Sequence, residues 1–203
     1  AASDVYKRQV PYFKVLSSKS DITIAARNIS ERGPGLEGNY RKLHGDLSNI
    51  DFLYFHSDKE YKELYSDEKD KRWAFKYTDK YQLNENVQVE VDWSKASDSL
   101  VLRDISGEIT SIGSERKQYL NQNISITGEF KNLILKIEQE KNQSLNPLLT
   151  NGYEKSPSVD LSFFKNIGNF LFRENLNVSY FKADALHGFF GIKHSNKYLS
   201  NLE

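Results

Sequence analysis

The chain has 203 residues, 28 acidic and 28 basic side chains, a formal net charge of zero and a mean hydropathy of −0.66. Balanced charge leaves no basic stripe for nucleic acid, and the lack of cysteine removes disulfides, thiolate metal sites and cysteine nucleophiles together. No apolar run reaches the roughly 18 residues that a membrane-crossing helix requires, yet a polar average is also what a barrel gives when its lumen and lipid faces are summed.

In chain order the pattern reads as a series of hairpins. Residues 1–9 lack the apolar core of a signal peptide. Residues 21–27 alternate as a short strand, stopped by the turn signal Arg32-Gly-Pro-Gly35. Residues 35–43 follow, with Leu36, Gly38 and Tyr40 on one face and Glu37, Asn39 and Arg41 on the other; His44-Gly-Asp46 makes a tight turn. The next strand sets Ile50, Phe52 and Tyr54 against Asn49 and Asp51. Residues 57–72 are too polar for a core strand and read as an exposed loop. Trp73, Phe75 and Tyr77 then alternate with Ala74, Lys76 and Thr78, and residues 81–86 turn the chain into V-Q-V-E-V-D-W between Val87 and Trp93. That run places Val87, Val89, Val91 and Trp93 on one face and Gln88, Glu90 and Asp92 on the other.

The second half repeats the scheme. Ile124, Ile126, Gly128 and Phe130 oppose Asn123, Ser125, Thr127 and Glu129, and Lys131-Asn132 turns into Leu133, Leu135 and Ile137. Residues 142–157 form a longer connection holding two of the four prolines. Val159, Leu161 and Phe163 lead to a turn at 165–169, and Leu176, Val178 and Tyr180 complete the pattern. Strands of roughly 9 to 11 residues predict about eight to ten of them, antiparallel neighbours in an up-and-down meander. Two environments can bury the apolar face: a second sheet, as in a soluble carbohydrate-binding sandwich, or lipid, as in a barrel.

Chemistry is sparse in the sequence. His44, His56, His187 and His194 are scattered without metal-ligand spacing and read as surface or loop histidines. Ser57-Asp58 and Ser97-Asp98 read as turns after strands, and Arg103-Asp104 as a loop ion pair. The N-x-S tripeptides at Asn28, Asn123, Asn142 and Asn177 would suggest glycosylation only in a eukaryotic secreted protein. No catalytic residue, metal site or cofactor is expected.

Several motifs in order carry a resemblance. Val10-Pro-Tyr-Phe13, Ser20-Asp-Ile-Thr-Ile24, Arg32-Gly33 and Leu36-Glu-Gly-Asn-Tyr-Arg-Lys-Leu43 resemble the start of the barrel in the LptD family of lipopolysaccharide-assembly (organic solvent tolerance) proteins. Phe55-His-Ser-Asp58, Ala96 to Asp104, Gln118-Tyr-Leu120 and Tyr153-Glu-Lys-Ser-Pro157 continue it in the same order. The resemblance implies an all-β antiparallel meander, part of a transmembrane barrel in the Gram-negative outer membrane. It implies transport of lipopolysaccharide without catalysis: acyl chains pass a lateral gate near the first strand, where Pro11, Tyr12 and Asp21 lie, and sugars cross a polar lumen. Lumen-facing candidates are Glu37, Asn39, Arg41, Asn49, Asp51, Gln88, Glu90 and Asp92. Implied partners are an LptE-like plug lipoprotein and the periplasmic Lpt bridge, the latter through a jelly-roll domain; no nucleic acid is implied. A porin-like barrel is the rival within the membrane class.

Some features depart from the family. Ala26 stands where a second proline often sits, and the family's disulfide cysteines are not in this sequence. On this reading residues 1–9 are a non-native or assembly-derived leader, and residues 10–203 are the first half of the barrel, a fragment of a longer protein.

Overall fold

The computed structural model describes residues 7–110, 112, 118–183 and 186–200. They form one antiparallel sheet in which each strand pairs with the next along the chain: β1 (Lys7–Ser17), β2 (Ser20–Ile29), β3 (Gly33–His44), β4 (Asp46–Phe55), β5 (Arg72–Asn84), β6 (Val87–Ala96), β7 (Tyr119–Phe130), β8 (Leu133–Ser144), β9 (Glu154–Ile167), β10 (Phe170–Ala183) and β11 (Leu186–Ser200). Two short helices interrupt the loops, α1 (Lys59–Leu64) and α2 (Val101–Asp104). The meander is as expected, but the strands number eleven instead of eight to ten. Alternation continues through residues that read as turns: β5 runs on to Asn84 and β9 to Ile167. Pro157 lies inside β9, where both flanking ladders shift register, an irregularity at which a strand tolerates a residue with no N–H. β1 begins at Lys7, whose pairing with Ile29 opens its ladder to β2.

Five tight connections share one end: β1–β2, β3–β4, β5–β6, β7–β8 and β9–β10 are joined by one or two residues each, with Gly45 at φ 106° and Gly168 at φ 61° in conformations that side chains resist. The opposite end carries loops 56–71, 97–118 and 145–153.

The register assigns the faces. Cross-strand partners share a face, so Ala25, Glu37, Leu53, Ala74 and Ala96 stand together, and so do Ile24, Gly38, Phe52 and Phe75 on the other side. No second sheet covers either face among the described residues, which removes the sandwich alternative. Much of the apolar side therefore stays open: Val10 and Ile192 are both 72 % exposed, and Ile126 and Ile137 both 44 %. The buried core sits elsewhere, at the loop end of the polar side. Phe55, Leu53 and Ile29 from the strands meet Val101, Ile105 and Ile112 from the second long loop.

Two glycines in β3 admit aromatic rings from β4. An added Cβ at Gly35 would stand 2.5 Å from the Phe55 ring, and one at Gly38 would stand 2.3 Å from Phe52. Because Phe55 is fully buried and central to the loop-end core, Gly35→Val should expel it. The expected cost is about 1–3 kcal/mol of stability, read as a lower urea midpoint for loss of sheet structure; an unchanged midpoint refutes the packing role.

Candidate functional site

The polar face is the candidate site. Pairing places all eight residues marked by the resemblance on it: Glu37, Asn39 and Arg41 oppose Leu53, Asp51 and Asn49, while Asp92, Glu90 and Gln88 oppose Thr78, Lys80 and Gln82. Along its middle, side chains satisfy one another across strands. Asn39 donates to Asn49 at 2.7 Å and to Asp51 at 2.6 Å; Lys80 pairs with Glu90 at 3.2 Å. Asn177 donates to Asp160 at 2.6 Å, and along β8 Lys136 donates to Glu138 at 2.8 Å. Such a surface presents fixed donors and acceptors to a hydrated ligand. Asp21 meets Arg41 through two hydrogen bonds of 2.9 and 3.0 Å, tying β2 to β3. Pro11 and Tyr12 stand exposed on β1, opposite Ala25 and Ile24.

At the loop end this face is closed by its own loops. Residues 57–72, expected to form an exposed loop, contain some of the most buried polar groups in the protein: Asp58 and Arg72 have no accessible surface. The Arg72 guanidinium donates to both oxygens of Asp98 at 3.0 and 2.7 Å, and through Nη1 to Asp58 and Asp104 at 3.0 Å each. It also stacks 4.0 Å above the Tyr61 ring. Asp58 caps α1 by accepting from the Tyr61 N–H at 3.0 Å, and takes a further bond from Arg32 at 2.8 Å. Local polarity could not show this burial, because the charges that satisfy Asp58 come from elsewhere in the chain. The Ser97-Asp98 turn is present, with Ser97 donating to Asp98 at 2.7 Å. Arg103 meets Asp104 at 3.4 Å, while the shorter Asp104 contact is with Arg72.

Glu37 makes the second anchor. One carboxylate oxygen accepts from the backbone N–H groups of Glu108, Ile109 and Thr110 and from the Thr110 hydroxyl, at 2.8 to 3.0 Å. The other accepts from Arg27 at 3.1 Å, and Arg27 also donates to the Ser106 carbonyl at 2.8 Å. This carboxylate is fully buried and holds the loop onto the sheet, rather than facing open solvent.

One constellation escaped sequence reading. On the apolar face near the tight turns, His44, Ser48 and Asp79 converge from β3, β4 and β5. Ser48 and Tyr77 each donate to Asp79 at 2.7 Å, His44 Nε2 meets Ser48 Oγ and lies 3.1 Å from Asp79, and Tyr81 packs edge-on to the His44 ring at 5.6 Å. A hydrolytic relay uses one imidazole nitrogen for the hydroxyl and the other for the carboxylate. Here Nε2 meets both and Nδ1 has no hydrogen-bond partner among the described residues, so the group clasps three strands without providing a relay. His56 is exposed and lies 3.1 Å from the Tyr54 hydroxyl. The side chains of His187 and His194 lie outside the described residues. Among the described residues, no group of three or more His, Cys, Asp or Glu side chains is placed to hold a metal ion.

Removing the Arg72 side chain leaves three carboxylates facing one another at the loop end. Arg72→Ala should cost about 3–5 kcal/mol and open loops 56–71 and 97–118 to protease, whereas unchanged protease resistance would contradict the role given to Arg72. A pH effect follows from Asp98. Burial opposes its ionisation, but the hydrogen bonds from Arg72 and Ser97 and the Arg72 charge outweigh it, holding the group below its ordinary 3.8. A depressed carboxylate contributes fully above that ordinary value and stops contributing as pH falls through the folded value. Loop protection should be level from neutrality to about pH 5 and fall below about pH 4, with a smaller fall in Asp98→Asn; hydrogen exchange checks the profile.

Comparison with known proteins gives this face its context. A family model described as LptD, LPS transport system D, matches residues 70–188. The LPS-assembly protein LptD of Ectopseudomonas mendocina (strain ymp) is 24 % identical over 162 residues, covering 79 % of this chain and 17 % of that protein. The protein of the same name from Salmonella paratyphi A is 26 % identical over 160 residues, covering 77 % of this chain and 20 % of that one. The chain thus spans a fifth or less of the length of these relatives. The outer membrane channel DcaP of Acinetobacter baumannii superposes with a TM-score of 0.39 at 9 % identity, covering 94 % of this chain and 62 % of that one. With the family model matching more than half of its residues, the chain belongs to the LptD family, LPS transport system D.

Proposed function

We propose that this sheet is a stretch of barrel wall in the outer membrane of a Gram-negative cell, part of a translocon that assembles lipopolysaccharide at the cell surface. The observation that carries the reading is a single sheet, in a member of this family, with an uncovered apolar face backed by a face of cross-strand ion pairs. In water the apolar face has no partner; against lipid it is satisfied, and the polar face then lines a hydrated lumen.

Two bands of aromatic residues support the orientation. Tyr54, Trp73 and Trp93 stand near the loop end of the apolar face, Phe130 and Phe163 near the tight-turn end, with Val89, Ile126, Ile137 and Val159 between them. Aromatic girdles flank the lipid band of outer-membrane barrels, where turns on the periplasmic side are short and loops on the surface side are long. The tight turns then face the periplasm and the Arg72 and Glu37 anchors close the lumen from the cell surface.

Within that frame β1 is one side of the lateral gate. Pro11 has no N–H to give a neighbouring strand, so a seam formed by β1 parts more easily than a full ladder. Acyl chains would leave sideways past Pro11 and Tyr12 while sugars remain with Asn39, Arg41, Asn49, Glu90 and Asp92 in water. The Asp21–Arg41 pair keeps β2 joined to β3 when the seam opens. An LptE-like lipoprotein plugs the lumen, and the periplasmic Lpt bridge delivers the substrate.

The two faces of β6 provide the test. Val89→Lys places a charge in lipid and Glu90→Lys places the same charge in the lumen, so the first should lose about 2–4 kcal/mol and fail to reach the outer membrane as a folded, heat-modifiable protein, while the second should assemble. Equal assembly of both variants refutes the reading.

A further inference from the structure

A basic cleft opens at the loop end of the apolar face. The register runs across that face from Trp93 on β6 to Gln122 on β7 and Lys141 on β8, and pairs Glu154 on β9 with Lys182 on β10. Lys141 joins the two segments through its 2.6 Å bond to Glu154, and Lys95 stands two residues beyond Trp93 on the same side. Lys95, Gln122, Lys141, Glu154 and Lys182 line a cleft of about 360 Å³. Each cation lies within three residues of the loop end of its strand.

Three observations distinguish it from an ordinary solvated rim. The charge is one-sided, with three lysines around one carboxylate, and Lys95 and Lys182 have no ion-pair partner among the described residues. The frame is fixed: the Gln143 amide donates to the Ala96 carbonyl and accepts from the Ala96 N–H, both at 2.9 Å, clamping the end of β6 to β8. The position is also special, because the cleft adjoins the apolar surface of Val91, Ile124 and Trp93.

We propose that this cleft docks the phosphorylated headgroup of a glycolipid, whose acyl chains lie along the apolar band below it. The inference rests on the membrane orientation proposed above, which puts the cleft at the headgroup level of the outer leaflet and outside the lumen. Lysines on alternate strands stand about 10 Å apart, so β6, β8 and β10 meet separate anionic groups of one headgroup. Lysine ammonium groups at a membrane surface attract such groups without needing a fixed fork geometry. Glu154 holds Lys141 in place and limits the site to ligands with enough charge to compete.

The test uses the full-length protein in phosphatidylcholine nanodiscs, with retained lipid measured by native mass spectrometry for bisphosphorylated lipid A and for its dephosphorylated counterpart. Wild-type protein should retain the phosphorylated lipid roughly tenfold better, and Lys95→Gln with Lys182→Gln should bring it to the level of the dephosphorylated one while leaving heat-modifiability unchanged. Glu154→Gln, which frees Lys141, should raise retention. Equal retention of both lipids by wild type, or unchanged retention by the double variant, overturns the proposal. Displacement of lipid A by millimolar inorganic phosphate also overturns it, since the cleft would then be a free-phosphate site. If the protein does not enter the bilayer, the outer-membrane reading and this site fall together; entry without lipid discrimination sinks the site alone.

Discussion

A one-layer antiparallel sheet has no interior of its own, and that constraint shapes everything else in this protein. Backbone groups are satisfied by the neighbouring strand, but every side chain faces outward on one side or the other. Stability must then come from what each face meets. The polar face meets itself, through cross-strand pairs such as Asn39–Asp51 and Lys80–Glu90, and the apolar face requires lipid on the function proposed here. With no second layer among the described residues, a buried hydrophobic cluster forms where loops fold back onto the sheet.

That cluster explains the unusual use of buried charge. Loops 56–71 and 97–118 approach the sheet carrying carboxylates, and a hydrophobic contact alone cannot bring Asp58 and Asp98 out of water. Arg72 makes their burial tolerable by offering a planar set of donors to three carboxylates at once, while Tyr61 covers its open face. Glu37 does the same with the sign reversed, gathering three backbone N–H groups of the second loop around one oxygen. Both anchors are specific in geometry, so the loops have one way to close. A loop held by apolar contacts alone would slide.

The two ends of the apolar face are built differently, and the difference matches their connections. Near the tight turns the polar groups of the His44–Ser48–Asp79 clasp turn towards one another, with Tyr77 and Tyr81 around it. Near the loops the lysines remain open to an external anion. An inward-facing network and an outward-facing cluster at opposite ends of one ribbon are what a membrane with two unlike leaflets would favour.

Much of this was already written in the chain. Period-two alternation is a local property, so 87–93, 124–130 and 159–163 announced strands and their faces, and Gly45 and Asn132 announced turns. The eight residues expected on the polar face share it because that assignment needs only parity. What was less legible was where strands stop, since residues 81–84 and 165–167, which read as turns, keep pairing. Nor could alternation show that residues 57–72 are partly buried, that Asp58, Asp98 and Asp104 share one guanidinium, or that His44 meets Asp79. Those contacts join residues 14 to 35 positions apart and exist only once the register has set neighbouring strands side by side. Sequence determined which side of the ribbon each residue occupies; tertiary structure decided which distant charges meet, because electrostatic partners are chosen by proximity in space and leave no periodic trace along the chain.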